Sequence, residues 1–104
     1  MTIKKAVIPA AGFGTRMLPA AKAVPKELLP IVDTAVIELV VGEMAASGIE
    51  RVVLVVGPGK EFLEGYFRPS SRIEERLRAE GRTGELELLH RPERLATVKT
   101  VVQT

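Results

Sequence analysis

The chain has 104 residues, 46% of them hydrophobic, enough for one buried core and too few for several domains. Lys and Arg number 15 against 13 Asp and Glu, leaving a formal charge of +2, and only 4% of residues are aromatic, which together exclude a nucleic-acid-binding reading. Cysteine is absent, which removes disulfides, zinc–thiolate sites and thiol nucleophiles and predicts a cytoplasmic setting.

Lys4 and Lys5 precede an apolar stretch that Pro9 and Gly12 interrupt well short of membrane-spanning length, so neither a signal peptide nor a transmembrane helix is expected. The apolar run Lys5-Ala-Val-Ile-Pro9 predicts a strand over 4–9, buried on both faces of a parallel sheet. It leads into Ala10-Ala11-Gly12-Phe13-Gly14. From there to Pro30, three prolines (Pro19, Pro25, Pro30) forbid a continuing helix or inner strand, while Met17, Leu18, Leu28 and Leu29 anchor the segment, so an ordered loop is predicted. A helix is predicted from about Thr34 to Ser47, with Ile37, Val40, Val41 and Met44 on its buried face and Gly48 as a left-handed C-cap.

Arg51-Val-Val-Leu-Val-Val56 is the clearest strand, closed by Gly57-Pro58-Gly59. Strand, helix and strand in that order imply a right-handed parallel crossover. A short helix follows near Lys60 to Phe67. Ser71 and Glu74 have capping-box spacing, and Ile73 and Leu77 are expected on the buried side of a helix ending near Gly81. Across this region Arg68, Arg72, Arg76, Arg78 and Arg82 alternate with Glu74, Glu75, Glu80 and Glu85 at helix-pair spacing, the pattern of a solvated, salt-bridged face. His90 has no evident acid partner in sequence and reads as a surface loop residue. A third strand is predicted over 97–103. The result is a three-layer α/β arrangement with one 104-residue unit and no internal boundary, its 10–30 loop lying across the carboxyl ends of the strands, where such sheets bind ligands.

The loop after the first strand carries the chemistry. Ala10, Ala11, Gly12 and Gly14 let the backbone turn sharply and bring N–H groups to an anion, and Thr15 follows. A dinucleotide fingerprint is excluded, since the third glycine's place is Met17 and Pro19 follows at once. A P-loop at Gly59-Lys60 is excluded too, with Leu54 in the first glycine's place and Glu61 after the lysine. Arg16, Lys22 and Lys26 place cations on the same loop; Arg16 can clamp phosphate oxygens bidentately, and Pro25 and the Leu28-Leu29-Pro30 anchor restrict where Lys26 points. Lys22 fits this role or that of a plain surface lysine. Such a set suits a triphosphate that is held and then cleaved, because phosphoryl-type transfer depends on positioning and on neutralising charge.

The stretch Ala10-Ala-Gly-Phe-Gly-Thr-Arg-Met-Leu-Pro-Ala-Ala-Lys-Ala-Val-Pro-Lys-Glu-Leu-Leu-Pro-Ile-Val-Asp33 resembles the N-terminal signature of bacterial UTP–glucose-1-phosphate uridylyltransferases, within the sugar-nucleotide pyrophosphorylase family. A looser likeness continues through Gly48-Ile-Glu-Arg-Val-Val-Leu-Val and Gly59-Lys60 to Val101-Val-Gln103. The resemblance implies a Rossmann-like nucleotidyltransferase domain of which 1–104 is the N-terminal, nucleotide-binding part. It also implies a reaction in which glucose 1-phosphate attacks the α-phosphate of UTP to give UDP-glucose and pyrophosphate with Mg2+. Gly12 and Gly14 would then approach the nucleotide, Thr15 and Arg16 the phosphates, and Lys26 the α-phosphate. Gln103 would read the pyrimidine edge, or face solvent as strand-end glutamines also do. Glu27 stands where related thymidylyltransferases have glutamine, which favours uridylyl over thymidylyl transfer; a non-catalytic nucleotide-binding unit is the remaining alternative. Homo-oligomers are common in the family.

Two positions depart from the pattern, Ala21 in place of threonine and Ala35 in place of a helix-starting proline. Asp33 is the chain's one aspartate and sits just before a helix, as an N-cap or turn residue would. The carboxylates that bind magnesium are expected downstream of Thr104.

Overall fold

In the computed structural model, residues 3–12, 23–31 and 34–103 are described. In chain order the elements are β1 (Lys5–Ala10), a 3-10 turn (Lys26–Leu28), the short antiparallel pair β2 (Pro30–Ile31) and β3 (Thr34–Ala35), then helix α1 (Val36–Ala46) and β4 (Arg51–Val56). A 3-10 helix (Glu61–Phe67), α2 (Ser71–Ala79), α3 (Thr83–His90), a further 3-10 turn (Pro92–Arg94) and β5 (Thr97–Val102) complete them.

The three long strands form a parallel sheet in the order β1-β4-β5. Both crossovers step the same way across it, and right-handed crossovers that step the same way lie on one face. Burial follows that rule. Val52, Leu54 and Val56 of β4, with Val98 of β5 and Ala10 of β1, are buried against Ile37 and Val41 of α1 and Leu63 and Phe67 of the 3-10 helix. On the opposite face Val7 and Val101 are 63% and 52% exposed. The expectation that β1 is buried on both faces is therefore corrected: the described residues supply the sheet and the layer on one side of it. At its outer edge β5 is capped by a side chain, the Thr100 N–H donating to Glu64 Oε1 at 2.7 Å.

Helix α1 buries Ile37 and Val41, with Met44 packed against the core, as its spacing predicts. It begins two residues later than expected because Thr34 and Ala35 are paired with Ile31 and Pro30. It ends at Gly48, whose φ of 94° lies in the left-handed region. There Gly48 N–H donates to Ala45 O and Ile49 N–H to Met44 O, both at 3.0 Å, which is a complete Schellman cap; Met44 and Ile49 both pack on the core.

The second half departs further from expectation. Ser71 and Glu74 form no capping box: Ser70 is the N-cap, no side chain caps the helix, and Glu74 is paired with Arg78 instead. The anticipated buried side of α2 is open, with Ile73 50% exposed and no residue of the helix buried, since α2 packs mainly on α3. Ion pairs Arg76–Glu80, Arg78–Glu74 and Arg82–Glu85 do form the solvated charged face. Helix α3 was not anticipated, and it changes the reading of His90. That residue ends α3 and lies between two carboxylates, Nδ1 3.1 Å from Glu93 Oε2 and Nε2 3.0 Å from Glu74 Oε1, so it ties α2 to the turn before β5. No helix among the described residues is long and apolar enough to cross a membrane.

Candidate nucleotide-binding site

Register sets the site. Ala10 of β1 is level with Val56 of β4, which is level with Val102 of β5. Ala11 and Gly12, Gly57, and Gln103 thus leave the sheet side by side at its carboxyl edge, across about 10 Å at ordinary strand spacing. Gln103 is exposed there, and its N–H extends the ladder to Val56 O at 2.7 Å.

The chain turns tightly after β4. Pro58 holds φ, Gly59 has a φ of 86°, and Lys60 N–H donates to Gly57 O at 3.1 Å, the pattern of a type II turn. The Glu61 carboxylate accepts from Gly59 N–H at 3.3 Å. This turn aims Lys60 back across the sheet edge, where Nζ donates to Gly12 O at 2.8 Å. The two loops are in close contact: a Cβ added at Gly57 would lie 3.6 Å from Ala11 O.

Lys26 approaches the same glycine. It opens the 3-10 turn that Leu28 N–H closes onto Pro25 O at 2.9 Å, with Leu28 anchored on the core. A Cβ added at Gly12 would come within 3.3 Å of Lys26 Nζ, so the absence of a side chain there makes room for the ammonium. Two cations therefore meet one glycine backbone at the strand ends, where phosphate oxygens can be held by charge and by main-chain N–H groups. The adjoining Glu27 is 7% exposed, and among the described residues neither carboxylate oxygen has a hydrogen-bond partner. A buried acceptor in that state is costly until a donor reaches it.

Of the residues singled out in the sequence, Ala10, Ala11, Gly12 and Gln103 lie on this edge, the Lys26 ammonium comes up to Gly12, and Glu27 is buried next to Lys26 in the 3-10 turn. Gly14, Thr15, Arg16, Lys22 and Asp33 lie outside the described residues. Lys60 was missed. Its sequence signals were a lysine directly after a Gly-Pro-Gly turn at a strand end, rejected as a P-loop, and the place of Gly59-Lys60 in the looser likeness, to which no role was given. Among the described residues no three His, Cys, Asp or Glu side chains are grouped to hold a metal ion, and no step here is assigned to one.

A profile of the nucleotidyl transferase family matches residues 5–103. The chain belongs to that family. Among the nucleotidyl transferases it is 46% identical over 101 residues to UTP–glucose-1-phosphate uridylyltransferase YngB of Bacillus subtilis, covering 97% of this chain and 34% of that protein. A uridylyltransferase of Staphylococcus saprophyticus is 44% identical over 103 residues, 99% of this chain and 36% of that one. Among solved structures, the UTP-bound UGPase from Acinetobacter baumannii superposes with a TM-score of 0.82 at 39% identity, covering 98% of this chain and 36% of that chain. A UDP-glucose pyrophosphorylase complexed with UDP-glucose gives 0.69 at 37% identity, over 99% and 36%. The chain thus spans about a third of the length of the relatives it matches. The α/β fold with its parallel sheet is the one shared with these structures.

Proposed function

We propose that residues 1–104 are the nucleotide-binding part of an enzyme that makes UDP-glucose and pyrophosphate from UTP and glucose 1-phosphate. The observation that carries this reading is the meeting of Lys26 and the Ala10-Ala11-Gly12 backbone at the carboxyl edge of the sheet, in a chain whose relatives are named for that reaction. In the reaction an oxygen of glucose 1-phosphate forms a bond to the α-phosphorus of UTP, and the α–β bridging bond breaks to release pyrophosphate. Negative charge gathers on the oxygens around the α-phosphorus, and a fixed ammonium beside them lowers the barrier.

In this reading Lys26 and Arg16 are the catalytic cations. Ala10, Ala11, Gly12 and Gly14 present the main chain to the nucleotide, and Thr15 binds a phosphate. Glu27 accepts hydrogen bonds from nucleoside N–H or O–H groups, which would give its buried oxygens donors that they do not find among the described residues. Gln103 offers an amide donor and acceptor to the uracil edge, supported by its place at the end of β5. Magnesium is the cofactor and would offset phosphate charge, with ligands from outside the described residues. A cytoplasmic location and a homo-oligomer belong to the same reading.

The test is a hybrid in which this chain replaces the matching segment of the Bacillus subtilis relative. Pyrophosphate release from UTP and glucose 1-phosphate is expected, with UTP preferred over dTTP. A folded hybrid that releases none, or prefers dTTP, overturns the reading. The 104 residues alone are expected to bind UTP weakly and to release no pyrophosphate, since the contacts that favour the transition state over bound substrate are mostly elsewhere.

A further inference from the structure

Lys60 has no part in the reading above, yet the fold takes trouble to place it. A proline and a left-handed glycine make the turn that turns its side chain back over the sheet edge, and its ammonium reaches a backbone carbonyl 48 residues earlier. The neighbouring carboxylate does not draw it away, because Glu61 is engaged with Gly59 N–H. Among the described residues no carboxylate forms an ion pair with Lys60, so its charge is not cancelled by the bond it makes.

The carbonyl it holds is the informative part. A glycine such as Gly12 lets the backbone come close to a polyphosphate, but a glycine backbone also has the most conformational freedom to lose when a ligand fixes it. A trans peptide is planar, with its C=O and N–H on opposite sides. Holding the Gly12 carbonyl therefore holds the orientation of the peptide plane where it leaves Gly12. A cation that does this by gripping the oxygen also adds positive charge behind the loop, which strengthens the loop's attraction for an anion.

We propose that Lys60 is a positioning residue for the nucleotide, holding the Gly12 carbonyl so that the Ala11-Gly12 backbone at the end of β1 is set to receive phosphates before the nucleotide arrives. The proposal rests on the nucleotide-binding reading of that loop. It places the turn after β4 in the nucleotide site as a support that touches loop rather than ligand.

The hybrid enzyme tests it with two substitutions, Lys60→Met, which keeps the stem and removes the charge and the bond, and Lys60→Arg, which keeps both. UTP affinity is measured by calorimetry, KM is measured for each substrate, and the thermal midpoint is recorded. K60M is expected to weaken the UTP Kd and raise the KM for UTP by at least about tenfold, through lost preorganisation. The KM for glucose 1-phosphate should stay unchanged, and the midpoint should move by less than about 4 °C. K60R should recover UTP affinity to within about threefold, since one charged donor replaces another. An unchanged UTP Kd in K60M overturns the proposal, and so does a loss of affinity that K60R fails to restore and that tracks a fall in the midpoint. A parent hybrid that binds UTP without turnover counts against the proposed function alone, and the Kd comparison still decides the role of Lys60.

Discussion

Arg91 and Glu38, 53 residues apart, join the approach to β5 to the first turn of α1: Arg91 Nε donates to Glu38 Oε2 at 2.6 Å and Nη2 to Oε1 at 3.2 Å. Glu38 is 6% exposed and also accepts from Tyr66 Oη at 2.5 Å, while Arg91 donates further to Thr34 Oγ1 at 3.1 Å. The side chain of Arg91 is 35% exposed, so the two partners depend unequally on each other. Removing the arginine strands a buried carboxylate; removing the carboxylate leaves an arginine that can still reach water. Arg91→Met should therefore cost about 3 kcal/mol and Glu38→Met markedly less, with the double variant more stable than Arg91→Met alone, all read from urea unfolding. Equal losses in the two single variants would show that the pair is not asymmetric in this way.

Tyr66 carries a pH dependence. Burial, and then its hydrogen bond to the Glu38 carboxylate and that group's charge, hold the phenol above its ordinary value of 10.0. The folded protein thus favours the neutral phenol. Stability from this group is complete below the unfolded pKa and is lost as pH rises through the higher folded one. Unfolding midpoints of the intact chain should fall above about pH 10, and Tyr66→Phe should flatten that alkaline slope. A slope unchanged by the substitution would assign the alkaline loss to other groups.

Gly12 and Lys26 can be separated by substitution. In Gly12→Ala the new methyl group meets the far end of a flexible side chain, so the ammonium shifts and the fold is retained. The hybrid enzyme carrying it should keep its thermal midpoint while losing UTP affinity. Lys26→Ala, which removes the charge beside the transferring phosphate altogether, should lower kcat/KM at least about 100-fold. Activity within a few-fold of the parent would show that Lys26 is a plain surface lysine.

Gly48→Ala should cost about 1 kcal/mol, the penalty of a Cβ in the left-handed region, because nothing crowds the site and strain is the sole charge against it. Gly48→Asn should cost less, since asparagine tolerates that region. Thermal melts of the two variants give the comparison directly.

Much of this fold could be read from residue order because its signals are local. The β-branched run Arg51–Val56 and the apolar periodicity of Ile37, Val41 and Met44 are each contained within one element, and Gly48 announces its own cap. Helix α3 left no such trace: it buries no residue, Leu88 is 54% exposed, and Gly81 and Gly84 resemble loop punctuation. Ser71 and Glu74 had the right spacing for a capping box, but the helix starts one residue earlier than that box requires, with Ser70 as its N-cap. At the candidate site, the glycine loop was legible and Lys60 was not, since its partner lies 48 residues away and only the parallel register brings the two together. Glu38 with Arg91 and His90 with Glu74 likewise meet only through the packing of separate elements.

The sheet order also dictates a timetable. β4 is the hub, paired on both sides, yet each partner is roughly 50 residues away along the chain, so neither pairing is cheap in loop entropy. During synthesis β1 emerges first and must wait, at about 5–20 residues per second, for several seconds before β4 exists to receive it. β4 in turn offers Val52-Val-Leu-Val-Val56, a run of the kind that stacks with copies of itself, for as long again before β5 appears. The segment is fenced by Arg51 on one side and by Gly57-Pro58-Gly59 on the other, a charge and a proline where self-association would otherwise extend. The turn that presents Lys60 in the finished fold thus serves earlier as a guard on its most aggregation-prone strand.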